Sequence, residues 1–287
     1  MPELPEVETV RRGLAPVLVG ARLARVTARR PDLRFPLPDG FGQRLTGARV
    51  DALRRRGKYM LADLDRGETL IIHLGMTGRF QIENAAVPPR PGDFALAAAA
   101  DPKHAHIVFE TDAGATVTYF DARRFGFMDL ADSAALGTHP RFLGMGPEPL
   151  DTGFDAAGLA AAFAGRRQSV KLMLLDQHVV AGLGNIYVNE ALYRAGISPL
   201  RAGGDVSGEE CARLVGIVRV VLEEAIAAGG STLRDYADAQ GALGYFQHAF
   251  QVYGRAGEAC LAAGCGGTVE RGVQGGRSSF SCARCQT

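Results

Sequence analysis

Val7, Val10, Leu14, Val17 and Leu18 recur at the three-and-four spacing of a single helix face. That period predicts an amphipathic helix over residues 5–19, with Pro5 tolerated in its first turn. From about 22 to 130 the pattern shortens to segments rich in Val, Ile, Phe and Thr, separated by turn residues. Residues 69–73, 80–82, 106–111 and 115–121 read as strands, the last two joined by Asp112-Ala113-Gly114, and the set predicts an antiparallel sandwich or barrel. The alanine run 95–100 reads as a loop, and Gly and Pro concentrate in 137–153, marking a linker. Helical spacing returns at 155–164, 169–179, 185–194 and 207–228. Two of these flank Ala181-Gly182-Leu183-Gly184, with Asn185 expected to cap the later one. From about 251 the chain takes on a Gly-rich hairpin character, and no internal repeat is present.

This order predicts an α+β multidomain chain: an N-terminal helix with a β-sandwich domain over 1–136, a linker over 137–153, a helical domain over 154–250 and a small tail over 251–287. A chain of 287 residues, 47% hydrophobic, has ample material for two cores. No apolar run reaches membrane-spanning length and the charged N-terminus is no signal peptide, so a cytoplasmic protein is expected. The net charge of +1 is uninformative, but its distribution is not. Residues 1–60 hold thirteen Arg and Lys against six Asp and Glu, including Arg54-Arg55-Arg56-Gly57-Lys58. A local basic face of this kind suits phosphates, although a solvated charged surface has the same composition.

Four of the five cysteines crowd the tail as Cys260-x4-Cys265-x16-Cys282-x2-Cys285. Two close pairs separated by a hairpin suit a tetrahedral thiolate site, and four sulfur ligands leave no open position, so one structural Zn2+ is expected. Residues 268–273 and 277–282 read as the hairpin strands, with Arg277 beside the tip, within reach of a phosphate. Cys211, in a helical stretch, reads as a small buried apolar residue. Gly182-Leu183-Gly184-Asn185 lacks the third glycine of a dinucleotide fingerprint and suits an anion-binding turn at a helix start better. Met76 and Phe125, each near glycine, are core residues if taken singly. Together with Arg123 they suggest a wedge that enters a base stack and fills the gap left by an extruded base. Pro2, once Met1 is trimmed, presents a secondary amine. Terminal amines titrate near about 8, so a useful fraction is neutral and nucleophilic, with Glu3 adjacent as a general acid.

PELPEVETVRRGL, RRGKY, HLGM, DARRFG, GLGNIY, GYF, VYGR and the four terminal cysteines occur in that order along essentially the whole chain. In this the chain resembles the formamidopyrimidine-DNA glycosylases. The resemblance implies a β-sandwich followed by a helix–two-turn–helix domain over 154–250 and a DNA-binding zinc finger over 251–287. It implies that Pro2 is the nucleophile and Glu3 the acid that opens the sugar. It makes Lys58 the proton donor for β-elimination and Arg277 the donor for δ-elimination. Met76, Arg123 and Phe125 match the gap-filling residues, His104, Arg167, Lys171 and Asn185 match DNA-contact positions, and residues 231–246 match the loop that closes over the flipped base.

Duplex DNA carrying oxidised bases or abasic sites is then the expected partner, with no catalytic metal, no organic cofactor, no membrane association and a monomer at work near the nucleoid. Two departures stand out. The first cysteine pair is spaced x4 where the family usually has x2, which enlarges that knuckle, and 90–101 matches nothing in the family pattern. The nearest alternative is an endonuclease VIII-like glycosylase for oxidised pyrimidines, although Leu4 fits the purine branch. A non-catalytic zinc-ribbon nucleic-acid-binding protein is the alternative from another class.

Overall fold

The computed structural model describes residues 2–84, 101–231 and 245–287. The alanine run and most of the expected loop over 231–246 lie outside those residues. The chain divides into two compact units: Met1–Leu143 with Ile226–Gln247, and Gly144–Ala225 with His248–Thr287. The first boundary falls inside the Gly- and Pro-rich stretch 137–153, and Ile226–Gln247 packs with the first unit although the chain enters it from a helix of the second.

In the first unit α1 spans Leu4–Leu18 and buries Val7, Val10, Leu14 and Leu18, the face its spacing predicts. Strands β1 (Leu23–Ala28) and β2 (Val50–Arg56) are separated by the short α2 (Phe41–Leu45). Then follow β3 (Tyr59–Leu64), β4 (Glu68–His73), β5 (Arg79–Glu83), β6 (Ala105–Thr111), β7 (Thr116–Phe120) and β8 (Phe127–Asp132). They form two four-stranded antiparallel sheets, ordered β1-β6-β7-β5 and β2-β3-β4-β8. The sheets remain separate, which decides for a sandwich over a barrel. One apolar cluster draws Val10 and Leu14 from α1, Met60 and Ile72 from one sheet, and Ile107 and Val117 from the other. Strand alternation and helix periodicity thus converge on a single core.

The second unit carries α3 (Ala156–Phe163), α4 (Val170–Leu175), α5 (Asn185–Ala195) and nearly all of α6 (Gly208–Ala227). Cys211 is fully buried on α6. Two details correct the pattern. The helix expected over 169–179 ends at Leu175, because Asp176 turns its carboxylate to the backbone N–H of His178. Gln177 holds the following turn by donating to Leu175 O and Leu183 O and accepting from the Gly182 N–H. Asn185 does not cap α5. Gly184 occupies that position, and Asn185 sends its amide to Ser278 O at 3.0 Å. The tail hairpin pairs β9 (Glu270–Gln274) with β10 (Arg277–Ser281). Its two-residue turn has positive φ at both Gly275 and Gly276, the handedness that matches the twist of the flanking strands. None of the described helices is long and apolar enough to cross a membrane.

Glu8 fastens α1 to its sheet. Burial opposes its charged form, but hydrogen bonds from Arg11 and Arg12 and the charges of Arg11 and Arg55 outweigh that and bring its pKa from 4.5 down to about 2. A carboxylate with a depressed folded-state pKa contributes stability above its unfolded pKa and loses it as the pH falls through the folded one. Glu8→Gln is therefore expected to cost roughly 2–3 kcal/mol of unfolding free energy at pH 7. The gap from the unsubstituted protein should close as denaturant unfolding is followed from pH 5 down to about 2. A gap of equal size at both ends would place the contribution in packing rather than charge.

Candidate active site and nucleic-acid interface

α1 lies against β2 and β3. Arg11 Nη1 donates to Leu53 O at 2.9 Å, and Glu8 pairs with Arg55 Nε at 3.4 Å. Each step toward the start of the helix is thus a step toward the end of β2. Continuing the series takes roughly 8 Å of helix to reach Glu3, while β2 ends at Arg56 and turns through Gly57-Lys58 into β3. The geometry therefore carries Pro2-Glu3 and the Gly57-Lys58 turn to the same end of the pair. Pro2, Glu3 and Lys58 are all buried there. The buried carboxylate of Glu6 accepts the N–H of Glu3 at 2.8 Å and, through its other oxygen, the N–H and hydroxyl of Ser231 at 2.8 and 3.0 Å. It ties the helix start to the residue that leads into segment 232–244.

His73 closes β4 beside this end. Burial and the nearby cations Lys58, Arg34 and Arg141 lower its pKa to about 4, so it is neutral near pH 7. Its Nδ1 accepts the Gly75 N–H at 3.0 Å, which leaves the proton on Nε2 as a donor. The ring stacks on Phe127 at 5.3 Å and meets Tyr59 at 4.9 Å, so its orientation is fixed.

Two loops carry Met76 and Arg123–Phe125, the residues expected to form a wedge. Met76 and Phe125 are 37% and 41% exposed, high values for such side chains, and the Arg123 guanidinium sits 4.6 Å from the centre of the Phe125 ring. Arg124 adopts a left-handed conformation between them, with φ of 54°. The loops approach so closely at Gly75, itself at φ 65°, that a Cβ there would stand 2.2 Å from the Gly126 nitrogen. Asp121 is fully buried behind this junction, taking hydrogen bonds from Thr77, Tyr119 and the Gly126 N–H. His104 lies at the base of the second loop, where its carbonyl accepts the Asp121 N–H at 3.0 Å.

In the second unit Arg277 is exposed at the start of β10, beside the hairpin turn. Lys171 is fully buried, and its ammonium donates to Ser278 O and Ser279 Oγ, both at 2.7 Å. Burial, helped by the charge of Arg277, lowers its pKa to about 8. Asn189 Oδ1 accepts the Phe280 N–H at 2.8 Å, so α4 and α5 together hold the strand that bears Arg277. Arg167 is exposed in the loop before α4. The Sγ atoms of Cys260, Cys265, Cys282 and Cys285 all lie within 4.8 Å of one another. Four thiolates about 2.3 Å from a common ion would be separated by about 3.8 Å in a regular tetrahedron. Cys260–Cys285 at 3.7 Å and Cys265–Cys282 at 3.6 Å fit that arrangement. The Tyr193 hydroxyl at 3.1 Å from Cys260 Sγ is an outer hydrogen-bond partner, and the widened x4 knuckle does not spread the sulfurs apart.

Comparison with known proteins agrees with this arrangement. The profile of the formamidopyrimidine-DNA glycosylase N-terminal domain matches residues 1–128, and that of the H2TH domain of the same enzymes matches residues 145–237. The formamidopyrimidine-DNA glycosylase of Phenylobacterium zucineum is 62% identical over 286 residues, covering all of both chains. The chain belongs to the formamidopyrimidine-DNA glycosylase family. It is a DNA glycosylase of that family, in which attack by an N-terminal proline and cleavage of the abasic strand are general. The crystal structure of the Thermus thermophilus Fpg protein superposes with a TM-score of 0.83 at 38% identity, over 99% of this chain and 98% of that one. A complex of Lactococcus lactis Fpg with DNA containing an abasic site gives 0.85 at 32% identity, over 99% of each.

Sequence reasoning passed over His73, Asp121 and Glu6 as functional residues. His73 carries a signal in standing directly before Leu74-Gly75-Met76. The two acids lie inside the quoted motifs PELPEVETVRRGL and DARRFG, but neither residue type shows by itself that its carboxylate is turned inward onto loop N–H groups. Gly75→Ala tests how closely the loops must meet. Its Cβ and forced φ are expected to destabilise the protein by about 2 kcal/mol or more, read as a drop in the thermal midpoint. An unchanged midpoint would mean that the two loops separate at little cost.

Proposed function

We propose that this glycosylase removes oxidised purines, 8-oxoguanine and formamidopyrimidines, from duplex DNA and then cleaves the strand by β,δ-elimination. The observation that carries this reading is the α1–β2 register, which brings Pro2-Glu3 and Lys58 to one buried end. With Met1 removed, the Pro2 nitrogen attacks C1′ of the damaged nucleotide while Glu3 protonates the opening sugar. The base departs and an iminium links protein to deoxyribose. The iminium acidifies C2′; that proton passes to water, a double bond forms between C2′ and C3′ as the C3′–O bond breaks, and Lys58 donates a proton to the departing 3′ phosphate. Arg277 grips phosphate and serves the second elimination.

Before any of this the nucleotide must leave the helix, at an unstacking cost of a few kcal/mol per step. Met76, Arg123 and Phe125 fill the vacated space, while His104, Arg167 and Asn185 contact the backbone. Neutral His73 adds an N–H donor beside Lys58. Lys171 acts from beneath, by fixing the strand that carries Arg277. The cysteine cluster binds one Zn2+ through Cys260, Cys265, Cys282 and Cys285. With four sulfur ligands its role is to brace the hairpin.

Borohydride reduction of a reaction on duplex containing 8-oxoguanine opposite cytosine is expected to trap a protein–DNA adduct, and Pro2→Gln, which retains Met1 and so displaces the free amine by one residue, should abolish it. Excision at full rate without an adduct would exclude the amine mechanism, and preference for thymine glycol would favour the pyrimidine-specific alternative. Cys285→Ser is expected to lower the metal content from one zinc per chain to none and to weaken duplex binding at least tenfold. Metal-free protein that binds DNA normally would remove the hairpin from the interface.

A further inference from the structure

The chemistry above leaves Asp121 without a role, yet its surroundings are unlike those of a residue that merely fills space. We infer that Asp121 is the positioning residue of the wedge: its carboxylate fastens the Met76 loop to the Arg123–Phe125 loop and sets the gap-filling side chains before DNA arrives. This rests on the base-extruding reading given under Proposed function and adds to it a residue that touches no substrate.

The carboxylate is used on both oxygens. Oδ1 accepts the Thr77 hydroxyl from the Met76 loop. Oδ2 accepts the Gly126 N–H at 2.8 Å and the Tyr119 hydroxyl at 3.3 Å. Thr77 Oγ1, having given its proton to Asp121, accepts the Arg123 N–H at 3.1 Å. The backbone on both sides of Arg124-Phe125 therefore leads back to one carboxylate, through Thr77 at Arg123 and directly at Gly126. Asp121 is itself anchored: its N–H donates to His104 O at 3.0 Å, and its carbonyl meets His106 Nε2 at 2.9 Å. A wedge must hold its shape while the stack tries to close on it. Loops carrying exposed Met76, Arg123 and Phe125 have little packing of their own to supply that stiffness. A buried group that only accepts, faced by three donors, supplies it, because moving either loop leaves a buried donor unpaired.

An amide of the same shape would present N–H2 to one of these donors. Gly126 cannot turn its N–H away, so Asp121→Asn keeps that bond and leaves the Thr77 hydroxyl without its acceptor. Thr77→Val is the milder variant, removing the hydroxyl while conserving volume. Each variant is assayed in parallel for 8-oxoguanine excision from duplex and for cleavage, with borohydride trapping, of an abasic site in a single-stranded oligonucleotide, where no base has to be extruded. The expected result is a tenfold or larger loss on duplex, the scale of one hydrogen bond to a charged group, with single-strand cleavage within about twofold of the unsubstituted protein. The double variant should be no worse than the more severe single one, because both cut the same chain of bonds. With 2-aminopurine beside the lesion, the fluorescence rise on binding should be smaller in both variants. Unchanged duplex excision in both variants overturns the inference. So does an equal fall on both substrates, which would mean ordinary structural damage. Failure of the unsubstituted protein to excise or trap would instead sink the reading on which the inference rests, so the two failures are distinguishable.

Discussion

A carboxylate buried among backbone N–H groups is the interaction on which the arrangement of this protein's functional segments depends. Three cases among the described residues join separate segments. Glu6 takes the N–H of Glu3 and that of Ser231. Asp121 takes the N–H of Gly126 and, through Thr77, that of Arg123. Glu190, fully buried on α5, takes the N–H groups of Gln251, Val252 and Tyr253 at 2.8–3.0 Å, where the chain turns into the cysteine tail. Each carboxylate stands on, or directly after, a regular element, and each receives donors from irregular backbone. Loops cannot satisfy their own N–H groups as helices and strands do, and a buried donor left unpaired costs about 1–3 kcal/mol. A carboxylate in a fixed position therefore sets the loop conformation as well as stabilising it.

The same contrast explains what was legible in the residue order. Periodicity reports the apolar face of an element, so α1, the strands of both sheets and the long α6 could be read from the side chains they bury. The tail hairpin could be read because two-residue turns and thiolate sites impose strict local chemistry. Partnership between distant polar groups leaves no periodic trace. Asp121 looks like any acid at the end of a strand, and its neighbours Thr77 and Gly126 are separated from it by 44 and 5 positions. The end of α4 was missed for a related reason. Its apolar spacing continues past Leu175, and the bonds made by Asp176 and Gln177 end the helix where hydrophobicity alone would extend it. Asn185 is a residue type that caps helices well, but Ser278 O competes for its amide and Gly184 takes the position.

Lys171 shows how one expectation changes character once packing is known. The family resemblance makes Lys171 a DNA-contact position. Its burial and its lowered pKa make that a poor use, since desolvating an ammonium is costly unless neutral acceptors surround it. Ser278 O and Ser279 Oγ are such acceptors, and both belong to the strand that begins with exposed Arg277. The buried lysine and the exposed arginine divide the work. One holds the strand in place, and the other leaves a permanently charged fork exposed at its start, the position from which the proposed function has it meet phosphate.

His73 and Lys58 divide labour in a different way. A histidine whose pKa is near 4 stays neutral through the range in which a terminal amine gains its nucleophilic form. It therefore adds no positive charge beside Lys58 to compete for a phosphate or to disfavour protonated lysine, while its fixed Nε2–H remains a donor. Were it protonated near neutrality, it would place a second cation against Lys58 inside a buried end, where screening is weak. Burial of the ring, which packs against Tyr59 and Phe127, prevents that. Tyr59, His73 and Phe127 form one cross-strand row on the face of the sheet opposite the apolar core, so aromatic packing outside the core sets the charge state of this histidine.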